Sequence, residues 1–244
     1  MYQRGKYMIY ADFHDVYFNL LEELYSRPQY VSAPRGQKIH ELVGKQFVIN
    51  PNLGIKLDWT KTGLPERQPI YDNYCKKELD WYLSGNLRAD SAPAKFWQTI
   101  ADENGIITSN YGYLTLFAKK YPTSGGEWLT GYEFVVKTLK KDRDSRQAIM
   151  HYGESKNFWE GNKDTPCCAN NQFIIRNDEL VCIINFRSWD IFLGVPYDIE
   201  FMHYLQTKIA DQLNVKTGTI ICNAGSLHLY ERDFEKAKKA LRKD

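Results

Sequence analysis

The sequence predicts a single α+β domain, and three observations carry that expectation. Amphipathic helices and a tight two-residue hairpin occur in the same chain. No linker, internal repeat or low-complexity stretch divides residues 1–244. With 43% hydrophobic and 14% aromatic residues, a chain of this length builds one full core.

The elements follow in order. Phe13, Val16, Tyr17, Leu20, Leu21 and Leu24 recur at i, i+3, i+4 and i+7, which predicts a helix with one buried face. Residues 26–36, with Pro28, Pro34 and Gly36, read as a loop. A strand over 39–49 is expected to break near Gly44, and Asn50-Pro51-Asn52-Leu53-Gly54 to turn. A helix over about 73–83 places Tyr74, Cys75, Leu79 and Tyr82 on one face. Glu78 falls inside that stripe, so it either reaches solvent at the edge or has a partner or a task.

Asp102-Glu103-Asn104-Gly105 turns toward Ser109-Asn110-Tyr111-Gly112, and a helix is expected over 128–141. Asn177-Asp178 then reverses the chain between two apolar runs, predicting a hairpin from Cys167 to Arg187. Pro196 opens a helix to about Leu213, with Phe201, Met202, Leu205, Ile209 and Leu213 inward. A strand over 219–223 runs on toward Tyr230, and 231–244 reads as a basic, solvated helix.

The bulk numbers exclude several classes. Charge is nearly balanced, 32 basic against 30 acidic residues, which argues against a nucleic-acid coat or a membrane-surface protein. Met1-Tyr2-Gln3-Arg4-Gly5-Lys6 lacks the apolar run of a signal peptide, and no stretch is long enough to span a bilayer. Five cysteines without paired spacing suit a reducing, cytoplasmic setting, and no metal site is expected.

The chemistry concentrates around Asp164-Thr165-Pro166-Cys167-Cys168. A thiol at a strand start is commonly a buried hydrophobe, and either cysteine could be the reactive one. On a strand the two side chains point to opposite faces, so only one enters a given pocket. Arg187, Arg146 and Arg35 are the cations that could lower a thiol pKa if they converge. Singly, Arg187 is better explained as a surface residue at a strand end, and His228, Tyr230 and Trp97 as core residues.

Read together, seven motifs in order resemble the thymidylate synthase family, from Arg35 to Tyr230. They are Glu78-Leu79-Asp80-Trp81-Tyr82-Leu83, Phe96-Trp97 with Ala101-Asp102-Glu103-Asn104-Gly105, Tyr111-Gly112, Pro166-Cys167-Cys168 followed by Gln172, Arg187-Ser188-Trp189-Asp190, Gly194-Val195-Pro196-Tyr197-Asp198 and His228-Leu229-Tyr230. The resemblance implies a large mixed sheet flanked by helices, and a homodimer formed through that sheet. It implies that Cys167 attacks carbon 6 of a pyrimidine nucleotide, with Glu78 and Tyr111 in the catalytic site. Arg187, Ser188, Arg35 and Gln172 would bind the nucleotide, and Arg146 would reach the phosphate of the neighbouring subunit. His228 and Tyr230 would hold the sugar, while Asp190, Trp97 and Gly194 would face 5,10-methylenetetrahydrofolate, the co-substrate.

Asp198 narrows the resemblance to the deoxycytidylate hydroxymethylase branch. Thymidylate synthases carry Asn there, whose amide matches the carbonyl and ring N–H of uracil. A carboxylate instead accepts from the amino group of cytosine and shares a proton with its nitrogen 3. A helix N-terminal Asp is the plainer explanation of the residue type alone. The chain runs 14 residues beyond Tyr230, without the family's long closing tail, which favours quenching by water over hydride. The expected activity is 5-hydroxymethylation of dCMP, with dCMP 5-methylation and a non-catalytic nucleotide-binding relative as rivals. The branch commonly serves viruses, so the host cytoplasm is the expected setting, with no nucleic-acid or membrane partner.

Overall fold

One mixed sheet organises the molecule. The computed structural model describes residues 11–154 and 157–243; the run Met1 to Lys6 lies outside the described residues. The strand order is β1 (Tyr30–Ser32), β2 (Ile39–Ile49), β9 (Lys216–Tyr230), β7 (Glu179–Phe186), β6 (Cys168–Arg176) and β5 (Ile149–His151). A short β8 (Trp189–Asp190) also lies along β9. Both β7 and β8 run parallel to β9, and the remaining pairings in this sheet are antiparallel. A separate two-stranded ribbon joins β3 (Lys119–Pro122) to β4 (Trp128–Thr130).

Helices α1 (Phe13–Ser26), α4 (Gly131–Lys141) and α5 (Val195–Leu213) pack against the sheet. The six apolar positions expected to face inward on α1 are all buried, and Asp12 caps its first turn by accepting the Asp15 N–H at 2.8 Å. On α5 the five expected positions are buried, joined by Gln206, whose Nε2 donates to Leu180 and Gly218 carbonyls at 2.7 and 3.0 Å.

The opposite face of the sheet is only half covered. Val48, Ile174, Val181, Ile183 and Ile221 are half-buried there. Asn170, Asn185, Asn223 and Gln46 form an amide ladder across four strands, each hydrogen bond 2.8–3.0 Å long. Among the described residues no helix is long and apolar enough to cross a membrane.

Five local expectations are corrected, the first being the loop over 26–36, which holds strand β1 paired along β2. The helix α2 spans Arg67–Ser84, starting earlier than 73 because Tyr71 anchors it, its hydroxyl donating to Glu200 at 2.7 Å. The stretch 128–130 is strand rather than helix, and Thr130 with Glu133 forms a capping box that starts α4 at Gly131. Gly44 takes a φ of 66° without breaking the strand, since Val43 and Lys45 keep one register with Ser226 and Ala224. The tail is not simply solvated: α6 (Phe234–Ala240) buries Ala237 and Ala240 and packs on α1.

Candidate active site

The hairpin places the first two site residues. Asn177 and Asp178 both adopt positive φ, 53° and 58°, the geometry of a turn matched to strand twist. That turn sets the β6–β7 register as far as Asn170 opposite Asn185, and a β-bulge then shifts it by one residue so that Cys168 lies opposite Phe186. Cys167 and Arg187, one residue further out on each strand, therefore meet. Arg187 Nη2 lies 3.6 Å from Cys167 Sγ, and its guanidinium is held by Thr165 and Pro166 carbonyls at 2.8 and 3.1 Å. Burial pushes the Cys167 thiol up, and Arg187 and then Arg35 oppose that shift. Ser188 follows Arg187, half-buried.

Asp164 was not anticipated from the sequence. Its buried carboxylate accepts the Ser109 N–H at 3.0 Å and the Thr108 hydroxyl at 3.0 Å, together with the Ser109 hydroxyl. These bonds tie the segment before Cys167 to the segment before Tyr111. Tyr111 Oη in turn accepts the Cys168 N–H at 3.2 Å. Gly112 is required by close packing, because a Cβ there would lie 2.0 Å from the Tyr82 carbonyl. Cys168 turns away into the core, its Sγ 3.4 Å from Asn171 Oδ1.

Glu78 has a partner rather than an outlet to solvent. It is 5% exposed and accepts the Tyr74 hydroxyl at 3.0 Å, while Trp97 Nε1 donates to Tyr74 Oη at 3.4 Å. Burial first, then the nearby Asp198 carboxylate, pushes its pKa up to about 8. Asp198 sits in the first turn of α5, raised to about 7 by burial, while a 2.8 Å hydrogen bond from Trp189 Nε1 opposes the rise.

A raised carboxyl pKa carries a stability consequence of definite sign. Below about pH 4 Glu78 is protonated in folded and unfolded chains alike. Between there and the folded value of about 8, only the unfolded chain ionises, so stability falls as pH rises. Glu78→Gln removes this liability and is expected to be more stable than wild type at pH 8, by on the order of 2–4 kcal/mol. The gap should close toward pH 4 in thermal melts, and a pH-independent gap contradicts the burial of a titrating group. Turnover should fall about 10²–10⁴-fold.

A third cluster forms where β8 meets β9. Asp190 pairs with His228 in register, and its Oδ1 accepts the Phe192 and Leu193 N–H groups at 2.8 and 3.2 Å. The His228 ring meets Tyr230 edge-on at 5.1 Å, and Arg232 lies 3.9 Å over the Tyr230 ring. Burial raises Asp190 and lowers His228, each partly offset by the other. Gly194 packs too tightly for a side chain, since a Cβ would come within 2.9 Å of the Asp190 carbonyl and 3.1 Å of the Trp189 ring. Beside the cleft, a groove of about 530 Å³ is lined by Arg35, Phe96, Thr99, Ile100 and Lys163.

Two candidates stand elsewhere. Gln172 lies on the half-covered face of β6, and its Nε2 donates to the Arg146 carbonyl at 2.8 Å. Arg146 is exposed beside it, five residues down the strand from Cys167, or about 16 Å. Trp189 also enters the site through its bond to Asp198, and its one signal in the sequence is a bulky residue between Ser188 and Asp190.

The family model described as thymidylate synthase matches residues 16–244. Deoxycytidylate 5-hydroxymethyltransferase of Enterobacteria phage T4 is 33% identical over 179 residues, covering 68% of this chain and 70% of the relative. The proteins of the same name from phages T2 and T6 match with the same identity and coverage.

Proposed function

The chain belongs to the thymidylate synthase family, and from that premise we propose that it converts dCMP to 5-hydroxymethyl-dCMP. The family makes it an enzyme that transfers a one-carbon unit from methylenetetrahydrofolate to carbon 5 of a pyrimidine nucleotide. The observation that carries the choice of base is Asp198, a carboxylate in the first turn of α5 within electrostatic reach of Cys167.

In this reading Cys167 Sγ forms a bond to carbon 6 of the cytosine ring, and carbon 5 becomes nucleophilic. Carbon 5 bonds to the one-carbon unit and then loses its proton as the folate amine leaves, generating an exocyclic methylene. Water adds to that methylene, and expulsion of Cys167 restores the ring double bond. The balance is dCMP, methylenetetrahydrofolate and water giving hydroxymethyl-dCMP and tetrahydrofolate. Glu78, with a pKa near 8, is poised to hold the water and move protons.

Arg187 and Ser188 bind the 5′-phosphate, the guanidinium already oriented by two carbonyls. His228 and Tyr230 bind the sugar hydroxyl. Trp97 and Gly194 bound the folate side, with Asp190 at its edge. The neighbouring groove suits the rest of the folate, pairing the exposed Phe96 ring with Lys163 for a glutamate carboxylate, while Arg35 at its edge serves the nucleotide. The three phage relatives favour a viral protein acting in the host cytoplasm.

The adduct is testable by trapping. With 5-fluoro-dCMP and methylenetetrahydrofolate, carbon 5 cannot release fluorine as a proton is released, so the covalent complex should accumulate. Peptide mass spectrometry should find it on Cys167; an adduct on Cys168, or none, contradicts the reading.

A homodimer through the sheet belongs to the same proposal. The half-covered apolar face, with Arg146 exposed at its margin, is the surface a second copy would cover. Sedimentation at assay concentration should give a dimer, and Ile183→Lys should yield inactive monomers. Active monomers contradict it.

A further inference from the structure

Glu41 has no part in the reaction described above, yet it stands across the sheet from the histidine assigned to the sugar. Glu41 on β2 pairs directly with His228 on β9, and Ser226 lies two residues back along β9. The Glu41 carboxylate accepts two hydroxyl groups, that of Ser226 at Oε1 and that of Ser32, 3.2 Å away, at Oε2. Ser226 is itself pinned to the phosphate side of the site, because its N–H donates to the Arg187 carbonyl at 3.2 Å. His228 Nδ1 lies 3.5 Å from Ser226 Oγ and 3.3 Å from the Ser226 carbonyl oxygen. No described residue hydrogen-bonds to Nε2 of the same ring.

A count of protons along this chain fixes the state of the ring. An ionised carboxylate only accepts, so the single proton of the Ser226 hydroxyl points to Glu41. Ser226 Oγ then turns a lone pair toward Nδ1, and the Ser226 carbonyl can only accept. With acceptors on both sides, Nδ1 carries the proton, and in a neutral imidazole Nε2 is left as an acceptor. Burial lowers the His228 pKa and keeps the ring neutral, with Arg232 acting the same way and Asp190 and Glu41 opposing. We propose that Glu41 is a positioning residue that acts through Ser226 to hold His228 in the Nδ1–H tautomer, so that Nε2 accepts the proton of the sugar 3′-hydroxyl. The inference rests on the reading of His228 as a sugar ligand. Tyr230, whose ring His228 meets edge-on, supplies the complementary O–H donor to the same sugar oxygen. The site therefore selects a sugar able to donate at its 3′ position. A free hydroxyl meets that demand; a fluorine or a phosphodiester does not.

Three variants separate the proton relay from packing. Glu41→Met keeps the length of the side chain and deletes the acceptor, so the Ser226 hydroxyl turns to Nδ1 and the ring proton moves to Nε2. Glu41→Gln keeps an oxygen for Ser226 and turns its amide nitrogen to Ser32 Oγ, so the wild-type tautomer should survive. The double variant Glu41→Met with Ser226→Ala removes the competing donor and should restore it. Long-range ¹⁵N–¹H correlation spectra of the ligand-free enzymes at about pH 8 report which nitrogen of a neutral ring is protonated. The His228 signals are identified by their loss in His228→Gln. Alongside these, kcat/KM is measured for dCMP and its 3′-fluoro-3′-deoxy analogue. Wild type should show the Nδ1–H form and favour dCMP over the analogue by at least about tenfold, the worth of one hydrogen bond. Glu41→Met should show the Nε2–H form and lose about tenfold on dCMP while staying within about twofold on the analogue. Glu41→Gln and the double variant should recover dCMP turnover. An Nε2–H ring in wild type, or a tautomer unmoved by Glu41→Met, overturns the proposal. Equal losses on both nucleotides that Ser226→Ala does not reverse also overturn it. If the enzyme turns over dUMP in place of dCMP, the base assignment fails by itself, and dUMP with its own 3′-fluoro analogue decides the role of Glu41.

Discussion

Cys167→Ser should lose turnover by at least about 10³-fold, whereas Cys168→Ser should stay within about tenfold of wild type. The two residues are neighbours in sequence and opposites in environment. Cys167 lies 3.6 Å from the Arg187 guanidinium at the mouth of the cleft. Cys168 is fully buried beside Asn171, on the core side of the sheet. A serine hydroxyl ionises far less readily than a thiol and is a poor nucleophile toward a ring carbon, so the first substitution removes the attacking group. The second exchanges one small buried donor for a more polar one with an acceptor already in place. Its effect should appear as a melt a few degrees lower, since a buried hydroxyl is costlier to desolvate. Steady-state turnover and thermal melts on both variants check this. An active Cys167→Ser, or an inactive Cys168→Ser that melts like wild type, contradicts the assignment.

Asp198→Asn should reverse base preference. The amide has nearly the shape of the carboxyl, so the pocket is preserved and only the donor and acceptor pattern changes. Against cytosine a buried amide leaves polar partners mismatched, a loss on the order of 2–4 kcal/mol for dCMP. Against uracil the amide donates to the carbonyl and accepts from the ring N–H, so activity on dUMP should rise. The ratio of kcat/KM for the two nucleotides in both proteins reports this at the transition state. An unchanged ratio contradicts the base-reading role of Asp198.

Much of this was legible along the chain because it is encoded locally. The inward face of α1, the Asn177-Asp178 turn and the start of α5 each follow from spacing or turn chemistry within a few residues. The turn fixes the register only as far as Asn170 opposite Asn185; the meeting of Cys167 with Arg187 also needs the β-bulge between Cys168 and Asn170, which nothing in the sequence marks. Other features needed the third dimension. Periodicity placed Glu78 on a stripe but could not show that Tyr74 and Trp97 close over it. Asp164 bonds to Thr108 and Ser109, more than fifty residues away, with no pattern to mark it. Trp189 looked like filler within its motif, and only the approach of α5 gives its N–H a carboxylate. Gln172 was assigned with its motif, yet alternation puts it on the face opposite Asn171, and the β-bulge between Cys168 and Asn170 parts it from Cys168 as well.

The most direct measurement is the mass of the nucleotide formed from dCMP and methylenetetrahydrofolate by the purified enzyme, run in ordinary and in ¹⁸O-labelled water. The expected product is heavier than dCMP by CH₂O and takes its new oxygen from the solvent. A product heavier by CH₂ alone, or one formed from dUMP while dCMP is left untouched, contradicts hydroxymethylation of cytosine.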